Sequence, residues 1–301
     1  MLKPPDLDPK AVRLQFGRRQ RRLERADFLL REVERRMLER LDLVRRVPAT
    51  AIDVGSGLGH GAARMQQRYA QALVLGFDLA PGLAAAAARL HGRPARRSLA
   101  GRLQSWFGAA AGTTAASPAF AAADACRLPL RAGGVDLIWS NLAWHWFADP
   151  AAVLAEWYRV VRPEGLLMFS AFGVDTLREL RALGVALPQY PDLHDVGDAL
   201  AQAGFAEPVM DAERLTITWR EPQALLDDLR ALGGNALRGR SRGLHTPAQR
   251  RGWLERIESL RGPQGSISIG FEIVYGHAWC PPRKRLPDGY SAIDFVPRRP
   301  A

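Results

Sequence analysis

The chain has little cysteine, no long apolar run and no metal-binding spacing, and each shortage narrows what it can be. Only two cysteines occur in 301 residues. Cys126 and Cys280 lie far apart and without ligand spacing, so neither a disulfide framework nor a zinc site is indicated, and both are expected as free thiols. No uninterrupted apolar segment reaches the length of a membrane span, and Met1-Leu2-Lys3-Pro4-Pro5 lacks the apolar core of a secretory signal. A cytoplasmic protein without membrane attachment is therefore expected. An aromatic-rich basic sheet motif of the kind that stacks RNA bases is missing, which disfavours nucleic acid as a partner. No His/carboxylate spacing suits a metal, and no metal site is assigned.

What the chain does have is apolar material for a core, at 47% of residues, and a length suited to one elaborated α/β domain. Its formal net charge is +11, carried mainly by arginine. That balance favours acidic partners, although arginine abundance also follows from a GC-rich genome.

The organising stretch is Ala49-Thr50-Ala51-Ile52-Asp53-Val54-Gly55-Ser56-Gly57-Leu58-Gly59. An apolar run ending in a carboxylate and then three glycines at alternate positions reads as a buried parallel strand turning sharply into a helix. Glycine permits positive φ and leaves no Cβ between main chain and ligand, and the following helix offers free N–H groups. A dinucleotide fingerprint requires a third glycine three positions after the second, but the spacing here is Gly-x-Gly-x-Gly followed by His60, which argues against NAD. Asp53 can meet a ligand ammonium. Asp78, ending the apolar run Leu73–Asp78, can grip a ribose diol, and Asp124 follows a third run at Ala119–Ala123, where, in cofactor-binding folds of the class this chain resembles, a carboxylate faces the adenine amino group. S-adenosylmethionine carries these groups. The cofactor-binding set is thus Asp53, Gly55, Ser56, Gly57, Gly59, Asp78, Leu79, Asp124, Ala125 and Asn141.

Residues 1–48 form a basic N-terminal segment with helical periodicity through Phe28, Leu29, Val33, Met37, Leu38 and Leu41. Its arginines read either as a solvated face paired with Glu24, Glu32 and Glu34 or, at Arg18, Arg19, Arg21 and Arg22, as a docking surface. Residues 49–279 hold the sheet-building core, and 92–118 read as a partly disordered surface insertion. Val135–Asn141 is a fourth strand whose end presents Ser140, Asn141, Trp144 and His145, the best candidates to touch substrate outside the glycine turn. Leu166–Phe172 is a fifth strand after the turn Arg162–Gly165, Leu215–Trp219 a sixth, and Ile267–Trp279 a long seventh, antiparallel to its neighbour. Two helical stretches in 222–262 make a small cap, and 280–301 read as a flexible tail. The fold class is α/β: a seven-stranded, mostly parallel, Rossmann-like sheet with helices on both faces.

The motifs Asp53 through Gly59, Asp78, Asp124 and Asp136 through Asn141 resemble those of class I S-adenosylmethionine-dependent methyltransferases. Within that superfamily, Trp139-Ser140-Asn141-Leu142-Ala143 with Trp146, Tyr158 through Gly165, Gly173 through Leu180, Phe16-Gly17-Arg18 and Leu229 through Gly233 resemble the malonyl-acyl-carrier-protein O-methyltransferases of biotin synthesis. The resemblance covers most of Val12 to Trp279. It implies in-line attack of a malonyl thioester carboxylate on the cofactor methyl group, with Asn141 and His145 as catalytic donors, Trp144 beside the substrate, and an arginine from the N-terminal helix or the cap. It also implies that Arg18, Arg19, Arg21 and Arg22 dock the acidic carrier protein. Leu23 stands where those enzymes carry a tyrosine, so a different residue here would hold the carboxylate. The His-Trp pair after strand four and Phe172 through Leu180 are also similar to a mitochondrial complex I assembly factor described as a protein-arginine hydroxylase, and that alternative stays open.

Overall fold

A computed structural model describes residues 6–18, 23–24, 26–92, 117–233, 236–239 and 246–282. The expected insertion at 92–118 and tail at 280–301 lie largely outside this set, as do Arg19, Arg21 and Arg22.

Among the described residues two helices lead into the sheet, α1 (Pro9–Arg18) and α2 (Phe28–Leu41). Asp8 Oδ1 accepts from the N–H groups of Lys10 and Ala11, supplying acceptors for the free donors of the first turn of α1. In α2 the apolar spacing brings Leu29, Val33, Met37 and Leu41 onto one buried stripe. Its arginines mostly find partners. Arg31 pairs with Asp27 at 2.5 Å, Arg35 with Glu32 at 2.7 Å, Arg36 with Glu213 at 2.6 Å and Arg40 with Asp211 at 2.5 Å.

The sheet is built from β1 (Thr50–Val54), β2 (Leu73–Asp78), β3 (Ala119–Ala122), β4 (Val135–Ser140), β5 (Val161–Phe172), β6 (Ala206–Trp219) and β7 (Ile267–Trp279). Its order is β3-β2-β1-β4-β5-β7-β6, parallel through β5, with β7 antiparallel to both neighbours. Strand order reverses between β1 and β4, and ligands bind outside the carboxyl ends at such a reversal. Between the strands run α3 (His60–Arg68), α4 (Pro81–His91), α5 (Pro150–Val160), α6 (Arg178–Ala182), α7 (Leu193–Gln202), α8 (Pro222–Leu232) and α9 (Pro247–Glu258).

Both faces of β4 are buried, and its alternation splits the core in two. Leu137 and Trp139 join α2, α3 and Phe271 on one side, whereas Ile138 and, before the register shift that separates it from Leu137, Val135 join Trp157, Val196 and Leu200 on the other. Side-chain caps set several helix starts. Asp149 accepts from Ala152 N at 3.0 Å, Asp192 from His194 N at 2.8 Å, and Thr246 forms a reciprocal box with Gln249. Helices α8 and α9 pack on each other, and Trp219 at the end of β6 donates its Nε1–H to Asp228 of α8 at 2.8 Å. Among the described residues no helix is long and apolar enough to cross a membrane.

Two strand readings change. The expected turn Arg162–Gly165 is absorbed into β5, where Glu164 takes φ 62 and the β4–β5 register shifts. Exchanged hydrogen bonds with Cys280 hold it there, Glu164 N to Cys280 O and Cys280 N to Gly165 O. Strand β6 starts at Ala206 rather than Leu215 because its first half is a polar edge, held by β7 and by the α2 arginines instead of by burial.

Candidate active site

The turn from β1 into α3 carries Gly55, Gly57 and Gly59 at φ 77, 53 and 80, where glycine alone is unstrained. A Cβ on Gly55 would stand 2.4 Å from the Cβ of Ala143, so the turn and the segment after β4 close on each other across a bare backbone. Gly55 N and Ser56 N both donate to Phe77 O, which pins the turn to β2. Asp78 closes the frame: one carboxylate oxygen accepts from Gly57 N at 2.9 Å and the other from Ala80 N at 2.8 Å. Burial raises the Asp78 pKa in spite of both bonds.

These elements border a cavity of about 290 Å³ at the carboxyl edge of the sheet. Of the expected residues, Gly55, Gly57, Asp78, Leu79, Asp124, Ala125, Asn141 and His145 line it. Asp53 does not. Its carboxylate is turned beneath the loop, where Oδ2 accepts from Ala62 N at 3.0 Å, so it restrains the start of α3 rather than facing a ligand ammonium. Ser56 is buried with its Oγ directed towards β2, near Gly76, and Gly59 packs under Phe120 and Ala87. Trp144 is core, 2% exposed and stacked on Phe169 at 5.1 Å, which removes it from the substrate side; its neighbour Trp146 faces the cavity instead. Arg18 ends α1, and Arg19, Arg21 and Arg22 lie outside the described residues.

Asn141 lines the cavity with its amide already committed. Nδ2 donates to Leu30 O at 2.8 Å and Oδ1 accepts from Ser170 Oγ at 2.8 Å, tying the first turn of α2 to β4 and β5. One Nδ2 hydrogen remains for a ligand. His145 is 6% exposed, stacked on Phe172 at 4.4 Å, with Nδ1 unpartnered. Burial pushes its pKa down to about 3, so it works as a neutral imidazole. Sequence reasoning missed Arg13, Trp146 and Phe172 as wall residues. Arg13 is the one arginine among the described residues lining this cavity, and nothing set it apart from the other arginines near it in sequence.

The wall fits a nucleoside cofactor. Glycine leaves room for close approach, Asp78 and Asp124 end adjacent strands as acceptors for hydroxyl and amino groups, and Phe77, Leu79 and Leu83 offer apolar surface for a flat ring. Residues 52–169 match a family model described as a methyltransferase domain. Among solved structures the chain is similar to the YcgJ protein of Bacillus subtilis (TM-score 0.54, 14% identity, 81% of this chain and 97% of that one). It is also similar to a SAM-dependent methyltransferase from Thermotoga maritima (TM-score 0.51, 14% identity, 89% and 99%). Fold, glycine turn and domain match together define a class I methyltransferase that uses S-adenosylmethionine. Full-length relatives narrow this further. Proteins of Laribacter hongkongensis, 44% identical over 98% of both chains, and of Methylovorus sp., 41% identical over 97% of this chain and 96% of that one, are each named malonyl-[acyl-carrier protein] O-methyltransferase. The chain belongs to this O-methyltransferase family.

Proposed function

We propose that the protein methylates the free carboxylate of a malonyl group held as a thioester on an acyl carrier protein, the step that the resemblance places in cytoplasmic biotin synthesis. The observation that carries this reading is the similarity to enzymes so named over nearly the whole length of both chains, which favours it over arginine hydroxylation. When bound, S-adenosylmethionine supplies an electrophilic methyl group on its sulfonium sulfur. The acceptor needs no general base, since a carboxylate of ordinary pKa, about 4, is already ionised at neutral pH. One carboxylate oxygen forms the new O–CH3 bond as the S–CH3 bond breaks, and no proton moves.

The protein's contribution is then placement and exclusion of water. Arg13 is the cation positioned to hold an anionic acceptor at this wall. The remaining Asn141 N–H and the neutral His145 imidazole offer donors without bringing a second positive charge that would hold the carboxylate back from attack. Phe16 and Trp146, in edge contact at 5.1 Å, bring α1 against the segment after β4 and cover the cavity with apolar surface.

A transfer assay with methyl-labelled cofactor tests the reading, comparing malonyl-carrier protein, malonyl-CoA, acetyl-carrier protein and no acceptor. Base-labile label is expected with the malonyl acceptors and with neither control. Measurable cofactor binding without label on any malonyl acceptor would overturn it.

A further inference from the structure

A second cavity, of about 510 Å³, lies on the far side of His145. Its lining comes from segments remote in sequence, among them Leu180 and Leu187, Leu229 of α8, Trp253 of α9 and Phe271 of β7. It shares His145, Trp146, Phe172 and Leu232 with the cofactor cavity, so a few side chains partition two adjoining chambers. The second chamber is apolar inside but also bordered by Arg230 and Arg250. Arg250 donates to the neutral amide of Gln223 at 2.8 Å and forms no ion pair among the described residues, and Arg230 pairs with an exposed Asp227 at 3.2 Å.

We infer that this second chamber receives the phosphopantetheine arm of the acceptor, delivering the malonyl end to the His145–Phe172 partition while Arg230 and Arg250 meet the phosphodiester at the base of the arm; the inference rests on the carrier-protein reading above. The chemistry matches along the length of the ligand. The reacting carboxylate must reach the cofactor cavity, and the shared partition is where the chambers meet. The geminal dimethyl and methylene groups of the arm suit aliphatic and aromatic walls, and Tyr190 places a phenol among them, a donor for the arm's amide carbonyls. The anionic end suits a guanidinium, which binds phosphate through paired N–H groups. Entry from the cap side also separates the two ligands, so acceptor and cofactor need not share one mouth.

Two substitutions that plug the chamber away from the partition, Leu229→Trp and Val185→Trp, test the route. Each is expected to lower kcat/KM at least about tenfold for malonyl-carrier protein and malonyl-pantetheine alike, with cofactor affinity by calorimetry within about twofold, which shows that the fold is intact. Arg250→Gln is expected to raise KM about tenfold for malonyl-phosphopantetheine and leave malonyl-pantetheine, which has no phosphate, unchanged. Wild-type turnover in both plugged variants would overturn the chamber assignment and leave the carrier-protein reading standing. Equal effects of Arg250→Gln on the two arms would overturn the phosphate contact. No transfer by the unmodified protein to any malonyl acceptor would overturn the carrier-protein reading and this inference with it.

Discussion

Glu34 shows how closely one residue can tie stability to pH in this fold. It sits on the buried stripe of α2, 4% exposed, and its ion-pair partner is Arg64 at 3.1 Å, a side chain 51% exposed. Burial therefore dominates and raises its pKa from 4.5 to about 7, while its charge in turn helps raise Asp53, which burial already lifts. The folded chain then binds the Glu34 proton more tightly than the unfolded chain does. Relative to a neutral side chain it costs nothing below pH 4.5, and the cost grows as pH rises through 7 to about 3 kcal/mol. Glu34→Gln is neutral at every pH, so it is expected to match the parent near pH 4.5 and to exceed it in urea unfolding by up to about 3 kcal/mol at pH 8. A stability difference that does not change with pH would show that the carboxyl is not buried in this way. The two carboxylates Asp53 and Asp78 illustrate what is legible at this scale. Both stand at strand ends and both are expected from sequence to face the cofactor, yet Asp78 lines the cavity and Asp53 bonds Ala62, because orientation was settled by which backbone N–H each could reach.

At the scale of elements, β3 depends on one side chain. Its four residues are alanines apart from Phe120, and most of the strand is exposed. The Phe120 ring lies over β2 and over the glycine turn: a Cβ on Gly76 would stand 2.4 Å from it, and one on Gly59 2.6 Å. The strand that carries the chain to Asp124 is thus seated by a ring resting on two glycines. Gly76→Ala is expected to cost about 1–3 kcal/mol by displacing that ring. Phe120→Ala also destabilises, but the double variant should lose at least about 1 kcal/mol less than the sum, since the clash disappears with the ring. Strict additivity in urea unfolding would separate the two residues. Elements whose pattern follows from burial were readable in advance, including β1, β4 and the stripe of α2. Strand β6 was only half readable because Ala206–Arg214 is polar and is held by ion pairs from α2, and the bulge at Glu164 was hidden because a Pro-x-Gly segment also reads as a turn. The second chamber had no local signature at all, being assembled from α8, α9, β7 and the segment after α6, which meet only in the folded chain.

For the whole molecule, a formal net charge of +11 is distributed unevenly. Arg36 and Arg40 spend their charge internally against Glu213 and Asp211 of β6. Among the described residues Arg250 has only the neutral amide of Gln223 as its hydrogen-bond partner, at the border of the second chamber. If the carrier protein is acidic, as the resemblance implies, this border is a place on the described surface where it would meet positive charge. Attraction of that kind acts on the encounter more than on the bound complex, and it fades as salt shortens the Debye length from about 10 Å at 0.1 M to about 3 Å at 1 M. The kcat/KM for malonyl-carrier protein is therefore expected to fall about tenfold or more between low salt and 1 M NaCl, in line with steering effects of about 10 to 1,000-fold. Malonyl-pantetheine, which lacks both carrier protein and phosphate, should change far less, because its one carboxylate is captured at short range inside the site. Equal salt dependence of the two acceptors would mean that the surplus arginine charge takes no part in recruiting the carrier, and would return it to the solvated face.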